Sequence, residues 1–223
     1  FEQLSKVSKL MGYDFDIEHV NFGLVLQDGK KMSTRGGRVV KLYDVIKEAI
    51  AQAEAAITQK NPNLEHKAEV AKAVGIGAVI FNDLKNDRNL EIEFNLDQML
   101  AFEGQTGPYL QYSSVRIASI LKQQDIGHIH DYKVFEEQLY FELIKLIAAF
   151  NQTLKKAVEV NGPHVISRYL LQIAQTFNQF YGQHKIITED EAVKQANLNL
   201  IKAVRTVLNE GLRLLGMTAL EEM

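Results

Sequence analysis

The sequence predicts a mainly α protein, in which a helical bundle follows a short α/β segment. Only three prolines occur among the 223 residues. From about residue 42 onward, apolar residues recur in alternating steps of three and four, which places them on one face of a helix. Most of the stretch before residue 42 lacks that spacing. We therefore predict two units, residues 1–41 and residues 42–223.

Four apolar stripes each predict one buried helix face. They are Val70, Val74, Gly77, Phe81 and Leu84; Phe135, Leu139, Leu143, Leu146 and Phe150; Ile166, Leu170, Ile173, Phe177 and Phe180; and Leu200, Val204, Val207, Gly211 and Leu214. Pro62 suits the first turn of a new helix, and Gly162-Pro163 separates two long helices. Thr188, with Glu191 three residues later, predicts a capping box that opens the last helix.

The segment before residue 42 has a different pattern. Phe1–Met11 is helix-like, whereas Val20–Leu26 alternates weakly. Gln27-Asp28-Gly29 is a turn signal, so we expect a short strand that enters a tight loop. Val39-Val40 is expected to return as a strand. Because the first residue is not methionine, we also expect a segment cut from a longer protein.

The composition excludes several classes of protein. The chain has no cysteine, which excludes disulfides and thiolate metal sites and fits a cytoplasmic protein. Its six histidines are scattered, so we expect no metal site. No apolar run has the length of a membrane span, and we expect no membrane partner. The net charge of −3 argues against non-specific coating of nucleic acid.

One basic, glycine-containing stretch, Asp28–Gly37, suggests phosphate binding. Glycines permit close approach of the backbone to an anion, hydroxyl groups donate hydrogen bonds, and several cations neutralise negative charge. The spacing of a Walker A motif is absent. A solvated turn is the alternative that these residues alone leave open.

A second stretch, Thr106–Arg116, suggests RNA binding. Gly107-Pro108 predicts a helix start, and the helical spacing then puts Tyr109, Tyr112 and Arg116 on one face. Tyrosine rings stack on splayed bases of single-stranded RNA, and a guanidinium contacts phosphates or base edges. The alternative is a pair of core tyrosines beside an arginine that binds a carboxylate.

Three blocks resemble arginyl-tRNA synthetases. Lys31-Met32-Ser33-Thr34-Arg35 is similar to the KMSKS signature of class I aminoacyl-tRNA synthetases, in the form that arginyl enzymes carry. Thr106–Arg116 resembles a segment of that family, with Ser113-Ser114-Val115 replacing the commoner small-His-small triplet. Gly211–Met223 resembles the end of the family's sequences.

The resemblance implies a fold and a set of site residues. It implies a helical anticodon-binding domain after the end of a class I, Rossmann-type catalytic domain. The residues that it assigns to ATP binding are Lys30, Lys31, Met32, Ser33 and Thr34; to catalysis, Lys31 and Arg35; and to the tRNA anticodon, Tyr109, Tyr112, Arg116 and Met223. ATP is then a substrate, with Mg²⁺ expected in the full enzyme and neither expected on this segment alone.

One departure from the signature leaves a question open. Thr34 stands where the general pattern has a second lysine. Arg35, Lys30 or a lysine outside this chain are the candidate replacements.

The family also implies partners and limits. We expect arginine tRNA as the partner, ATP and arginine as ligands of the full-length enzyme, and a monomer. No HIGH motif occurs in the sequence, so we expect this segment alone to be inactive. The alternatives are the tail of a methionyl, cysteinyl or leucyl synthetase, and a helical protein-interaction scaffold with no enzymatic role.

Overall fold

The computed structural model describes residues 1–27, 29–31 and 41–223. Its strands are β1 (Val25–Gln27), β2 (Lys30–Lys31) and β3 (Ile92–Glu93). Its α-helices are α1 (Glu2–Leu10), α2 (Leu42–Lys60), α3 (Lys67–Leu84), α4 (Leu96–Met99), α5 (Gly107–Leu121), α6 (Gln138–Ala148), α7 (Phe150–Glu159), α8 (His164–Gln183) and α9 (Glu191–Leu214). A 3₁₀ helix covers Lys133–Glu136. Within these ranges, no helix has the length and apolarity that crossing a membrane requires.

The predicted mainly α fold is confirmed, and so are most of the buried stripes. Leu170, Ile173 and Phe177 on α8 are fully buried at the centre of the main core, where α5, α6 and α9 pack around that helix. Leu214 is an exception, with 41 % of its surface exposed, because it is the last residue of α9. Helical periodicity thus identifies the core of this bundle.

A small sheet joins the first segment to the helices. β1 lies in its centre, antiparallel to β2 and parallel to β3. Gly29 turns the β1–β2 hairpin with a φ of 66°, in the left-handed region that glycine tolerates. The predicted strand and tight loop are therefore present, although the strand covers only the end of the predicted stretch. The second predicted strand, Val39-Val40, lies outside the described residues.

The prediction for Pro62 is wrong. Helix α3 begins five residues later, at Lys67, and His66 precedes it with a φ of 55°. The intervening chain forms a turn in which the N–H of Leu64 donates to the carbonyl of Asn61 over 3.2 Å. Leu64 is buried in a small core between α2 and α3, so its side chain fixes the path of this turn before the helix can start.

The capping box predicted at Thr188 is also wrong. Asp190 caps α9, and its carboxylate accepts hydrogen bonds from the N–H groups of Ala192 and Val193 at 2.9 and 3.1 Å. The hydroxyl of Thr188 instead donates to the carbonyl oxygen of Asp190. A charged acceptor at a helix N-terminus also interacts favourably with the helix dipole, which favours aspartate here.

Glycines bring α3 close to both of its neighbouring helices. A Cβ atom on Gly75 would lie 2.7 Å from the backbone nitrogen of Ile50 in α2. A Cβ atom on Gly107 would lie 2.6 Å from the carbonyl oxygen of Gly77. The first approach holds α2 against α3, and the second holds the start of α5 against α3. Helix α5 carries the predicted RNA-binding face.

Candidate nucleic-acid interface

A surface pocket of about 660 Å³ unites the four residues predicted to contact an anticodon. Its lining residues are Ile57, Lys60, Asn61, Phe102, Glu103, Tyr109, Tyr112, Arg116, Asn178 and Met223. They come from the end of α2, the loop before α5, the face of α5, the middle of α8 and the last residue of the chain. We call this the tyrosine pocket.

The start of α5 is fixed by a polar cap. The hydroxyl of Thr106 accepts a hydrogen bond from the N–H of Tyr109 at 3.2 Å and donates to the carbonyl of Ala101 at 2.6 Å. Pro108 occupies the first turn, where its missing N–H costs nothing. The predicted helix start is confirmed, and it sets the position of the first pocket tyrosine.

Arg116 lies between two tyrosine rings. Its guanidinium carbon is 5.0 Å from the centroid of the Tyr112 ring and 5.2 Å from that of Tyr181. A cation over an aromatic face is attracted by the ring quadrupole, and the contact also holds a flexible side chain in place. Tyr112 is 39 % exposed, so it is not the core tyrosine of the alternative interpretation. Arg116 and the ring of Tyr112 form a polar, aromatic wall of the tyrosine pocket, and Tyr181, which is not among the lining residues, packs against the guanidinium.

Asn178 connects the functional groups of this wall. Its side-chain oxygen accepts a hydrogen bond from Arg116, and its amide nitrogen donates to the hydroxyls of Tyr109 and Ser113 at 2.9 and 3.0 Å. The residues around the predicted stripe of Phe177 and Phe180 are interpreted from the sequence as core framework rather than as ligands, and this interpretation is wrong for Asn178, which lines the pocket, and for Tyr181, which is 41 % exposed. Asn178 and Tyr181 are three residues apart, beside the apolar stripe of α8, and this spacing was the sequence signal that could have indicated a second functional face.

The last residues of the chain are tied down beside α5. The buried side chain of Gln111 donates to the carbonyls of Ala73 and Thr218 at 3.2 and 2.9 Å. Arg205 and Glu221 form an ion pair at 2.5 Å. The amide of Asn61 is 3.5 Å from the backbone oxygen of Met223, a weak contact at the pocket. These contacts explain how a residue so far along the chain reaches the tyrosine pocket.

A lysine that the sequence analysis did not single out also lines the pocket. The Nζ atom of Lys60 lies 4.7 Å from the centroid of the Phe102 ring. With Arg116 it makes two cations, against the single carboxylate of Glu103 among the lining residues. Such a mixture of cations and rings suits a polyanion with stacking bases.

Comparison with known proteins identifies the family. A model of the DALR anticodon binding domain matches residues 110–223. A model of the catalytic domain of class I tRNA synthetases of the arginine type matches residues 1–96. The chain belongs to the arginyl-tRNA synthetase family. This membership excludes the methionyl, cysteinyl and leucyl alternatives, whereas the boundary at residues 41 and 42 stays a prediction.

Individual relatives support this family membership. The chain is 49 % identical to an arginine–tRNA ligase of Exiguobacterium sp. and 49 % identical to arginine–tRNA ligase 2 of Bacillus anthracis. In both cases all of the chain aligns, but it spans only 40 % of the relative's length. The solved structure of Thermus thermophilus arginyl-tRNA synthetase superposes with a TM-score of 0.82 and 31 % identity, covering 91 % of this chain and 35 % of that one.

The second candidate site is the basic stretch Asp28–Gly37, for which the name basic loop is used below as a label for the sequence. Lys30 is exposed in β2, and the backbone of Lys31 pairs with Leu26 in β1. The N–H of Gly29 is 3.3 Å from both carboxylate oxygens of Glu93, the last residue of β3. The remaining predicted residues, Met32, Ser33, Thr34 and Arg35, lie outside the described residues. The hairpin that leads into the loop is thus attached to the sheet beside α3.

Proposed function

We propose that this chain is part of an arginine–tRNA ligase, which activates arginine with ATP and transfers it to its tRNA. Its own task in that enzyme is to bind the anticodon arm of the arginine tRNA. The observation that carries this proposal is the meeting of Tyr109, Tyr112, Arg116 and Met223 in one pocket. These residues are far apart in the sequence, and only the fold brings the last of them to the other three.

The chemistry of the pocket fits an unpaired RNA loop. The half-buried ring of Tyr109 and the exposed ring of Tyr112 offer faces on which bases stack. Arg116 and Lys60 supply positive charge for the phosphates. A helical protein-interaction scaffold, the alternative function, gives no role to two cations and three aromatic rings around one concave site.

A titration with RNA tests the proposal. The probe is a short hairpin with the anticodon loop of an arginine tRNA, and the readout is fluorescence anisotropy. We expect weak binding that falls with salt, and losses of about 1–3 kcal/mol for Tyr109→Ala and for Tyr112→Ala. Tyr132→Ala, which removes an exposed tyrosine outside the pocket, is the matched control. Unchanged affinity in folded Tyr109 and Tyr112 variants would contradict the proposal.

We also propose roles for the basic loop in the full enzyme. Lys30, Lys31, Met32, Ser33 and Thr34 bind ATP, and Lys31 with Arg35 stabilises negative charge as arginine is joined to AMP. The exposed position of Lys30 at the end of a two-stranded hairpin is compatible with that task. Among the described residues no cluster of His, Asp or Glu could hold a metal ion, so no ligand for the expected Mg²⁺ is assigned to them.

The segment by itself is proposed to be a monomer without catalytic activity. Class I activation of an amino acid also needs the HIGH motif, and that motif does not occur in this sequence. Exchange of pyrophosphate into ATP in the presence of arginine is the appropriate assay. We expect no exchange above background; any exchange that depends on arginine would show that the basic loop suffices.

A further inference from the structure

Two neighbouring residues, Arg116 and Ser113, determine the orientation of the Asn178 amide. Arg116 has only donors, so the atom that faces it must be the oxygen of the amide. Ser113 donates its hydroxyl hydrogen to the backbone oxygen of Tyr109 at 2.8 Å, and its Oγ can therefore only accept from Asn178. The amide nitrogen must then face both Ser113 and Tyr109.

This orientation decides which way the Tyr109 hydroxyl points its hydrogen. Its oxygen accepts from the amide nitrogen of Asn178 at 2.9 Å, so its own hydrogen is not used in that contact. Since Tyr109 lines the tyrosine pocket, the hydrogen is available to a molecule bound there. The other guanidinium N–H groups of Arg116 make no hydrogen bond within the described part of the chain, and they too can donate into the pocket.

We propose that Asn178 is a positioning residue that makes the Tyr109–Arg116 wall a hydrogen-bond donor surface, so that the pocket selects a nucleobase by neighbouring acceptor atoms on its edge. This inference rests on the proposed function and adds a basis for selection to it. Stacking on tyrosine rings tolerates every base, because each base has a π face. Discrimination therefore has to come from hydrogen bonds to a base edge.

Glu103 and Met223 also line the pocket, and they supply acceptors in the carboxylate of Glu103 and the backbone oxygen of Met223, which the Asn61 amide approaches at 3.5 Å. Neither touches the Asn178 network, so neither changes what Tyr109 offers. These two acceptors can receive hydrogen bonds from an amino group on the same base. The donor wall and these acceptors together distinguish base edges that differ only in the order of donors and acceptors.

Asn178→Asp reverses the direction of the hydrogen bond to Tyr109 while keeping a side chain of nearly the same size. The aspartate still accepts from Arg116, but an oxygen replaces the nitrogen that donated to Tyr109. The Tyr109 hydroxyl must then donate to the aspartate, and its hydrogen is withdrawn from the pocket. Gln175→Glu, at an exposed position one turn earlier on the same helix, adds the same charge without entering the network and is the matched control.

The test uses a set of RNA hairpins in which each anticodon position in turn carries each of the four bases. We expect the wild type to prefer one base at one position, and Asn178→Asp to lower that preference about 10-fold. Tyr109→Phe removes the hydroxyl and should lower the preference to the same degree. Combining the two changes should cause no further loss of preference, because both remove the same donor.

The outcomes are separable. A uniform loss of affinity for all hairpins in Asn178→Asp, beyond that of Gln175→Glu, would mean that the residue only supports the fold and would overturn the inference. A wild type that binds hairpins without preference would overturn it as well, while the proposed function stands. A wild type that binds none of them defeats the proposed function itself. If Asn178→Asp loses its helical circular dichroism, Tyr109→Phe carries the same test.

Discussion

Gly107, the first residue of α5, packs so closely against Gly77 of α3 that an added Cβ atom would lie 2.6 Å from the Gly77 carbonyl oxygen. That oxygen belongs to the backbone of a helix interior and cannot move aside independently. The contact therefore fixes the distance between the two helices at the end where α5 begins. Tyr109 follows two residues later, so the position of the tyrosine pocket depends on this glycine pair.

Gly107→Ala should destabilise the protein by about 1–3 kcal/mol, because the new methyl group forces the helices apart. Urea denaturation followed by circular dichroism measures the change. Gly182→Ala is the control, since a Cβ atom there meets nothing within 4 Å and the site lies in the last turn of α8. That variant should be stabilised by at most about 0.5 kcal/mol, because the preference of helices for alanine over glycine is largest in a helix interior. Equal effects of the two substitutions would show that the close approach of the glycines does not matter.

Asp190→Ala should cost about 1 kcal/mol, because two N–H groups at the start of α9 lose their acceptor. Thr188→Ala removes only a hydroxyl that donates to a neighbouring backbone oxygen, and it should cost less than about 0.5 kcal/mol. Denaturation midpoints of the two variants provide the comparison. A larger loss at Thr188 would restore the capping box that the sequence pattern predicts.

The helix faces could be predicted from sequence because burial repeats with the period of the helix. The stripe through Leu170 and Phe177 needs no information from other parts of the chain. The cap of α9 was misplaced because Thr188 and Asp190 both suit an N-cap, and only the backbone geometry decides between them. Local pattern thus predicts elements well and their boundaries poorly.

The candidate site was predictable only in part, for a different reason. Tyr109, Tyr112 and Arg116 share one helix face, so spacing alone brings them together. Asn178 and Lys60 come from other helices and have no motif of their own, so their approach to α5 depends on tertiary packing. Met223 could be assigned to the pocket from the family resemblance, but its contact with α2 required the fold.

Two buried tyrosines should make stability fall in alkaline solution. The hydroxyl of Tyr140 donates to Asn197 at 2.7 Å, and that of Tyr169 donates to the carbonyl of Leu146 at 2.6 Å. Burial raises the pKa of each to about 12, and the nearby carboxylate of Glu137 adds to the effect on Tyr140. In the unfolded chain a tyrosine has a pKa of about 10. The folded state therefore keeps protons that the unfolded state loses.

The contribution of these groups is fully present below about pH 10 and is lost as the pH rises toward about 12. Urea denaturation at a series of pH values should show this loss. In Tyr140→Phe/Tyr169→Phe the free energy of unfolding should be lower at neutral pH, since two hydrogen bonds are gone, but should depend less on pH above about 10. The same pH dependence in variant and wild type would assign the alkaline loss to other groups.

Lys60 should contribute to RNA binding through charge alone. Its Nζ atom lies over the Phe102 ring at the tyrosine pocket, where it can meet a phosphate but belongs to no hydrogen-bond network with the bases. Lys60→Gln should weaken all RNA hairpins alike and reduce the slope of log affinity against log salt by about 0.7, the value for one phosphate contact on a single strand. Lys155→Gln, at an exposed lysine of α7 outside the pocket lining, should leave the slope unchanged. A slope that changes equally in both variants would mean that the protein's overall charge, rather than a contact at the pocket, attracts the RNA.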